Sequence, residues 1–162
     1  MPLTPQQLLA KLDELGIETE TREHAPVFTV AESKRLRGDL AGGHCKSLFL
    51  KDKKGALWLV VTLEDRAIDI KALRRAIGSA PLSFARPELL EDVLGITPGA
   101  VTPFALVNDT GVQVRVVLDA AMMGETLLNY HPLTNAATTS ISPAGLLAFI
   151  RACGHEPAVL AL

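Results

Sequence analysis

Three short stretches of the chain carry residue types that could act together on an ester or a phosphate. Lys46 opens an apolar run, so its ammonium group could lie at a sheet edge and bind a phosphate. In residues 99–103 a glycine permits close approach of the main chain, and two prolines stiffen its flanks. The amides of such a loop could hold an ester carbonyl or a water and stabilise developing negative charge. His131, in a polar loop, could donate a hydrogen bond or titrate near neutrality.

Each of these stretches also has an ordinary structural interpretation. A lysine commonly extends its ammonium group from an apolar stem into solvent, and a segment rich in Gly and Pro commonly forms a tight loop. A histidine in a loop needs no catalytic role. The residues alone leave these alternatives open.

Several other chemistries lack the residues that they require. The chain has no GxSxG elbow, Walker loop or GxGxxG fingerprint, and its four histidines form no HExxH pattern. Cys45 and Cys153 are far apart with no CxxC pair, so we predict reduced thiols and no dedicated metal site. Cys45 follows His44, but neighbours in a strand point to opposite faces, which favours a buried structural cysteine over a nucleophile.

The charge of the chain is unevenly distributed. The formal net charge is −2, yet residues 34–54 hold seven basic and two acidic residues, a local charge of +5 against −7 elsewhere. A polyanion would therefore be drawn to one region and repelled by the rest. A solvated surface turn is the alternative interpretation of the same charges.

The elements that must position these residues can be read from periodicity and caps. We predict helices over residues 5–15 (capped by Thr4), 29–36, 69–77, 87–94 and 143–153 (capped by Ser142). Strands are predicted over residues 17–22, 46–51, 56–62, 104–107, 112–118, 126–129, 138–141 and 157–160, with a flexible loop over 38–43. Residues 52–55 have the composition of a hairpin turn, which places much of the basic window on one hairpin.

These elements do not alternate as in a doubly wound parallel sheet. We therefore predict an α/β fold of the α+β kind, with a mixed, mainly antiparallel sheet flanked by helices. The 162 residues, 48% of them hydrophobic, suit a single domain over residues 1–162. No apolar run is long enough to span a bilayer and the N-terminus lacks a signal-peptide pattern, so a soluble cytoplasmic protein is expected.

Three motifs resemble those of a known family. HCKSLFLKDKKG over residues 44–55, GAVTP over 99–103 followed by Phe104, and HPLTN over 131–135 together resemble the YbaK-type aminoacyl-tRNA editing domain. The likeness is greatest to the free-standing prolyl-tRNA editing proteins of the ProX group. Ser47 departs from this pattern, since similar sequences are expected to have Asn there.

The resemblance implies a trans-editing hydrolase with a YbaK-like fold that deacylates alanyl-tRNA(Pro) without a metal or cofactor. The loop backbone and a substrate ribose hydroxyl would organise water attack on the ester. Its implied partners are the acceptor end of the mischarged tRNA and a prolyl-tRNA synthetase. The implied catalytic residues are Lys46, Gly99 and His131; the substrate-binding residues are Ala100, Val101, Thr102, Pro103 and Asn135; and the tRNA-binding residues are Lys51, Lys53 and Lys54.

Two alternatives to this function stay open. The first is editing of another mischarged tRNA, such as cysteinyl-tRNA(Pro), by a related pocket. The second is a non-catalytic module that binds tRNA or another nucleic acid through the basic window alone, with salt-sensitive binding and no turnover. A pocket sized for alanine would exclude proline sterically but would discriminate weakly against smaller esters.

Overall fold

The computed structural model describes residues 2–26 and 42–162. The helices are α1 (Pro5–Glu14), α2 (Ile70–Ile77), α3 (Pro87–Leu94), α4 (Ala120–Met123) and α5 (Pro143–Ala152), with 3₁₀ helices at Pro98–Ala100 and Pro103–Asn108. The strands are β1 (Thr19–Glu23), β2 (Gly43–Asp52), β3 (Leu57–Leu63), β4 (Leu82–Phe84), β5 (Val114–Asp119), β6 (Leu128–Tyr130), β7 (Ala137–Ile141) and β8 (Ala158–Leu160). The helix predicted over residues 29–36 and most of the predicted loop lie outside the described residues.

These strands form one sheet in the order β1-β7-β6-β2-β3-β5-β8, with β4 also paired to β2. The pairs β1–β7, β6–β7, β2–β3 and β2–β4 are antiparallel, whereas β2–β6, β3–β5 and β5–β8 are parallel. The prediction of a mixed, mainly antiparallel sheet with helices is therefore confirmed.

Local capping explains why the predicted helices form where they do. The Thr4 side chain accepts from the Gln7 amide, and the Gln7 side chain accepts from the Thr4 amide, which is a complete capping box. Asp69 caps α2 through the Lys71 amide and Ser142 caps α5 through the Gly145 amide.

One predicted strand is wrong. Residues 104–107 form part of the second 3₁₀ helix instead, because Pro103 at its first position fixes a helical φ and Thr102 caps it. The Thr102 hydroxyl accepts from the Phe104 amide at 3.3 Å. Phe104 is fully buried and makes edge contacts with Tyr130 and Phe149, so packing of the ring favours this conformation. Strand β4 and the short helix α4 were not predicted.

The long strand β2 has an interrupted edge that matters for the site. Along one side it pairs continuously with β3 from Cys45 to Lys51. Along the other side its pairing with β6 ends at His44, and its pairing with β4 begins only at Leu50. The described part of the sheet has no neighbouring strand beside residues 45–48 on this edge, and the Phe49 carbonyl accepts from the Ala85 amide just beyond β4.

Candidate active site

A small cavity lies at this interruption of the sheet. Its volume is about 30 Å³, which holds about two water-sized groups. Strands β2, β6 and β7, the end of β3 and the loop after α3 all contribute to its wall. The lining residues are His44, Cys45, Ser47, Glu64, Val101, Asn129, Tyr130, His131 and Thr138.

The predicted histidine lies on this wall with a fixed ring. His131 Nδ1 is 2.9 Å from the Ala137 carbonyl oxygen, which can only accept, so Nδ1 carries the proton. Burial lowers the pKa of His131, and the nearby ring of His24 acts in the same direction. A neutral imidazole protonated at Nδ1 offers its Nε2 lone pair as an acceptor. The site therefore contains a histidine that can accept a proton or orient a donor near neutral pH.

The loop after His131 is conformationally strained. Leu133 has a φ of 65°, a left-handed conformation that residues other than glycine rarely adopt. Its amide donates to the His131 carbonyl at 3.0 Å, and its side chain packs against the core. These contacts hold a turn that costs of the order of 1–3 kcal/mol, a kind of strain that clusters at functional sites. Asn135 lies in the same loop, half-buried, but does not line the cavity.

The cavity thiol is not a nucleophile at neutral pH. Burial raises the pKa of Cys45 to about 12, and the charge of Glu64 adds to this effect. The thiol group donates to the Gly43 carbonyl at 3.5 Å. Beside it, the Tyr130 hydroxyl donates to the Met122 sulfur at 3.2 Å, and burial raises the pKa of Tyr130 well above its usual range. Because a thiolate is the reactive form, a protonated Cys45 agrees with the structural role predicted for it.

The segment of residues 99–103 reaches the cavity through Val101. Ala100 and Thr102 are buried, and the Ala100 amide donates to the Thr97 carbonyl at 3.0 Å. Because Pro103 has no amide hydrogen and the Ala100 amide is engaged, the candidate donors toward a ligand are the amides of Gly99, Val101 and Thr102. Gly99 has a right-handed helical backbone in the first 3₁₀ helix, so positive φ is not the reason for glycine there.

The predicted lysine adjoins the cavity without lining it. Lys46 is half-buried and lies between Cys45 and Ser47, which both contribute to the wall. Strand alternation places Lys46 on the same face of β2 as His44, another wall residue. Its cross-strand partner on β3 is Thr62, whose hydroxyl donates to the buried carboxylate of Asp119 at 2.6 Å.

The other predicted lysines lie at the far end of the same strand. Lys51, Lys53 and Lys54 are exposed, and seven residues of extended chain place Lys53 about 23 Å from Lys46. The structure therefore separates these three lysines from the cavity. The remaining cations of the basic window, Lys34, Arg35 and Arg37, lie outside the described residues.

The hairpin turn that carries Lys53 and Lys54 lies near a second group of cations, on α2. The three sequence motifs do not include this group. The Lys53 amide donates to the Pro81 carbonyl at 3.0 Å, which fixes the turn against the connection between α2 and β4. On α2 the exposed side chains Lys71, Arg74 and Arg75 border a groove of about 660 Å³ that also contacts Pro81. We call Lys53, Lys54, Lys71, Arg74 and Arg75 the distal basic surface. The spacing of Lys71, Arg74 and Arg75 by three and four residues predicts that they share one face of a helix. Only the fold places that helix beside the hairpin.

Several wall residues were not among the predicted site residues. Asn129 and Tyr130 directly precede His131, so a signal was present in the sequence. Asn129 is held by the Ser140 hydroxyl, which donates to its Oδ1 at 2.5 Å. Glu64 directly follows β3 and Thr138 lies on β7, and no local motif marks either residue.

Neither a cluster of metal ligands nor a membrane-spanning helix occurs among the described residues. No group of three or more His, Cys, Asp or Glu side chains in residues 2–26 and 42–162 could hold a metal ion. No helix within the same ranges is long and apolar enough to cross a membrane.

Comparison with known proteins assigns the family. The model of the aminoacyl-tRNA editing domain matches residues 24–149. The prolyl-tRNA synthetase associated domain-containing protein 1 of Mus musculus is 41% identical over 159 residues, covering 95% of this chain and 94% of its own length. The prolyl-tRNA editing protein ProX of Acetoanaerobium sticklandii is 40% identical over 151 residues, with coverage of 93% and 92%.

A solved structure supports the fold. A candidate trans-editing enzyme for prolyl tRNA synthetase superimposes with a TM-score of 0.72 at 24% identity, covering 99% of each chain. The resemblance carried by the three sequence motifs is thereby confirmed. The chain belongs to the aminoacyl-tRNA editing domain family, which makes it an aminoacyl-tRNA deacylase that acts on mischarged tRNA.

Proposed function

We propose that this deacylase hydrolyses the alanine ester of tRNA(Pro) in trans and spares the proline ester, as a single editing domain in the cytoplasm. The small cavity is the observation that carries this choice. A volume of about 30 Å³ suits a methyl side chain, whereas a pyrrolidine ring would clash with the wall. Glycine and serine esters are similar in size to alanine, so we expect weaker discrimination against them.

The names of the relatives support tRNA(Pro) as the nucleic-acid component. One relative is named as a prolyl-tRNA editing protein and another as associated with prolyl-tRNA synthetase. We infer a prolyl-tRNA synthetase as the partner that releases the substrate.

In the proposed mechanism, main-chain dipoles orient the ester for attack by water. Amides of Gly99, Val101 and Thr102 are the candidate donors to the ester carbonyl, with Ala100 and Pro103 holding the segment in place. His131 Nε2 orients the water or the adjacent ribose hydroxyl, and Asn135 supports the His131 loop. Two observations favour this assignment: Val101 and His131 line the same cavity, and burial keeps the wall thiol protonated at neutral pH.

Recognition of the tRNA is assigned to cations on two parts of the molecule. Lys46 would bind the phosphate of the terminal adenosine, because its strand face continues into the cavity wall through His44. Lys51, Lys53 and Lys54 would contact phosphates further along the acceptor stem, and Lys71, Arg74 and Arg75 extend that contact across the distal basic surface.

The decisive experiment compares alanyl-tRNA(Pro), prolyl-tRNA(Pro) and cysteinyl-tRNA(Pro) as substrates, with loss of the ester as the readout. We expect rapid loss of alanine and retention of proline. Faster loss of cysteine than of alanine would reassign the substrate. Salt-sensitive binding of all three without turnover would instead identify a binding module. A substrate ending in 2′-deoxyadenosine tests the ribose hydroxyl, and we expect it to be hydrolysed slowly.

A further inference from the structure

One carboxylate on the cavity wall, that of Glu64, has no role in the proposed attack of water on the ester. Glu64 follows the last residue of β3, and its amide donates to the His44 carbonyl at 2.9 Å. This bond places Glu64 beside the first residues of β2, half-buried and lining the cavity. Glu64 therefore borders the cavity that we propose holds the acyl part of the ester.

The chemistry of the remaining wall makes this carboxylate distinctive. Cys45 and Tyr130 are uncharged at neutral pH, and burial raises their pKa further, while burial lowers the pKa of His131 and so favours its neutral form. The other lining residues apart from His44 and Glu64 are Ser47, Val101, Asn129 and Thr138, none of which titrates. Among the described residues that line the cavity, Glu64 is thus the source of negative charge. Its charge acts on the Cys45 thiol, which shows that its field reaches into the cavity.

The proposed substrate carries a matching positive charge. An aminoacyl ester has a free α-amino group, which is largely protonated near neutral pH because such groups titrate at about 7.7–8.0 in peptides. A charge-assisted hydrogen bond to a carboxylate is about twice as strong as a neutral one. A carboxylate accepts several hydrogen bonds at once, so the other interactions of Glu64 in the structure do not prevent this contact.

We propose that Glu64 binds the α-ammonium group of the aminoacyl ester and so selects esters of free amino acids over N-acylated ones. This inference rests on the proposed deacylase function. With the ammonium group held at Glu64, the ester carbonyl is directed toward Val101 and its neighbouring amides on another part of the wall. Glu64 is then a binding and specificity residue and takes no part in proton transfer.

The test compares alanyl-tRNA(Pro) with N-acetylalanyl-tRNA(Pro), which lacks the positive charge. The parent protein should hydrolyse the free-amine substrate at least about tenfold faster, measured as kcat/KM. Glu64→Gln keeps the size of the side chain and removes its charge. It should lower kcat/KM for alanyl-tRNA(Pro) about tenfold while the slow reaction of the N-acetyl substrate stays unchanged.

A matched control is available nearby. Glu125 also acts electrostatically on Cys45, but it is exposed and does not line the cavity. Glu125→Gln should therefore keep the parent preference for the free-amine substrate. An equal loss of preference in both variants would overturn the proposal, because it would reduce the effect to general electrostatics.

Other outcomes separate this proposal from the function on which it rests. If Glu64→Gln keeps the full preference for the free amine, or slows both substrates equally, Glu64 does not bind the ammonium group. If the parent protein hydrolyses neither ester, the deacylase proposal fails instead. Should Glu64→Gln not fold, Glu64→Asp serves the same comparison, because its shorter carboxylate should weaken the preference, and an unchanged preference contradicts the proposal.

Discussion

The two ends of strand β2 differ in almost every physical respect. At the Gly43 end the chain borders a cavity of about 30 Å³ whose thiol, phenol and imidazole are uncharged and partly or wholly buried. Beyond the Asp52 end, the hairpin turn bonds Pro81, on the rim of a groove of about 660 Å³ that is lined by the exposed cations of α2. A small cavity can discriminate acyl groups by size, whereas a wide cationic surface can attract a polyanion without reading its sequence. Under the proposed function, acyl selection and tRNA attraction would take place about 20 Å apart along one strand.

The largest effect should come from the lysine at the cavity end. Lys46→Ala should lower kcat/KM for alanyl-tRNA(Pro) about 100-fold, because the variant replaces a half-buried cation, the proposed phosphate ligand, by a methyl group. Lys53→Ala, at the other end of the strand, is the matched control and should change kcat/KM less than about threefold. Full activity of the Lys46 variant would contradict the assigned role.

A smaller loss of activity is expected when the neutral imidazole of His131 is removed. His131→Ala should lower kcat about 30-fold, a smaller effect than removal of a full general base usually has. In the parent protein the acid limb of the pH–rate profile should lie below pH 6.5, because burial lowers the pKa of His131. N-acetylalanyl-tRNA(Pro) is the substrate for this profile, since its blocked amine cannot titrate. An acid limb that persists unchanged in the variant would exclude His131 as its origin.

The same pKa shift links His131 to folding. Its folded-state pKa lies below the unfolded value of about 6.5, so the neutral form stabilises the fold above that pH. This stabilisation is lost as the pH falls from about 6.5 through the folded pKa. The melting temperature should therefore fall between pH 7.5 and pH 5.5, and His131→Gln should reduce the difference.

Charge reversal on the distal basic surface should affect binding alone. The double variant Arg74→Glu, Arg75→Glu should raise KM for full-length alanyl-tRNA(Pro) about tenfold at low salt and flatten its salt dependence. The kcat should stay unchanged, as should the rate with a short alanylated oligonucleotide that ends in CCA. Arg151→Glu, an exposed reversal on α5, is the control. Equal slowing of the short substrate would show that the two ends of β2 are not separate in function.

The smallest effect is expected for the cavity cysteine. Cys45→Ala should change kcat/KM for alanyl-tRNA(Pro) less than about threefold, because a thiol with a pKa of about 12 is almost entirely protonated at neutral pH. The variant enlarges the cavity, so its hydrolysis of cysteinyl-tRNA(Pro) and prolyl-tRNA(Pro) measures how strictly the wall limits size. A loss of 100-fold or more would restore a nucleophilic role for the thiol.

The fold was predictable where local interactions decide it. Thr4, Asp69 and Ser142 cap helices because their side chains bond amides only two or three residues away. The hairpin of β2 and β3 was predictable because its turn composition and the alternation beside it agree. The strand predicted over residues 104–107 was wrong, although their composition is typical of a strand. Pro103, the Thr102 cap and burial of the Phe104 ring favour the 3₁₀ helix instead.

The sequence by itself determined the family, through three motifs, and the residues that the family resemblance names. It also determined the capped helices and the basic hairpin, because caps, turns and charge runs depend on neighbours along the chain. Tertiary structure alone decided that Glu64 and Thr138 line the cavity with His131 and that the Lys53 amide bonds Pro81 beyond α2. It also decided that burial lowers the pKa of His131 and raises that of Cys45. These properties depend on which distant strands pair and which groups lose contact with water, and no local pattern records either.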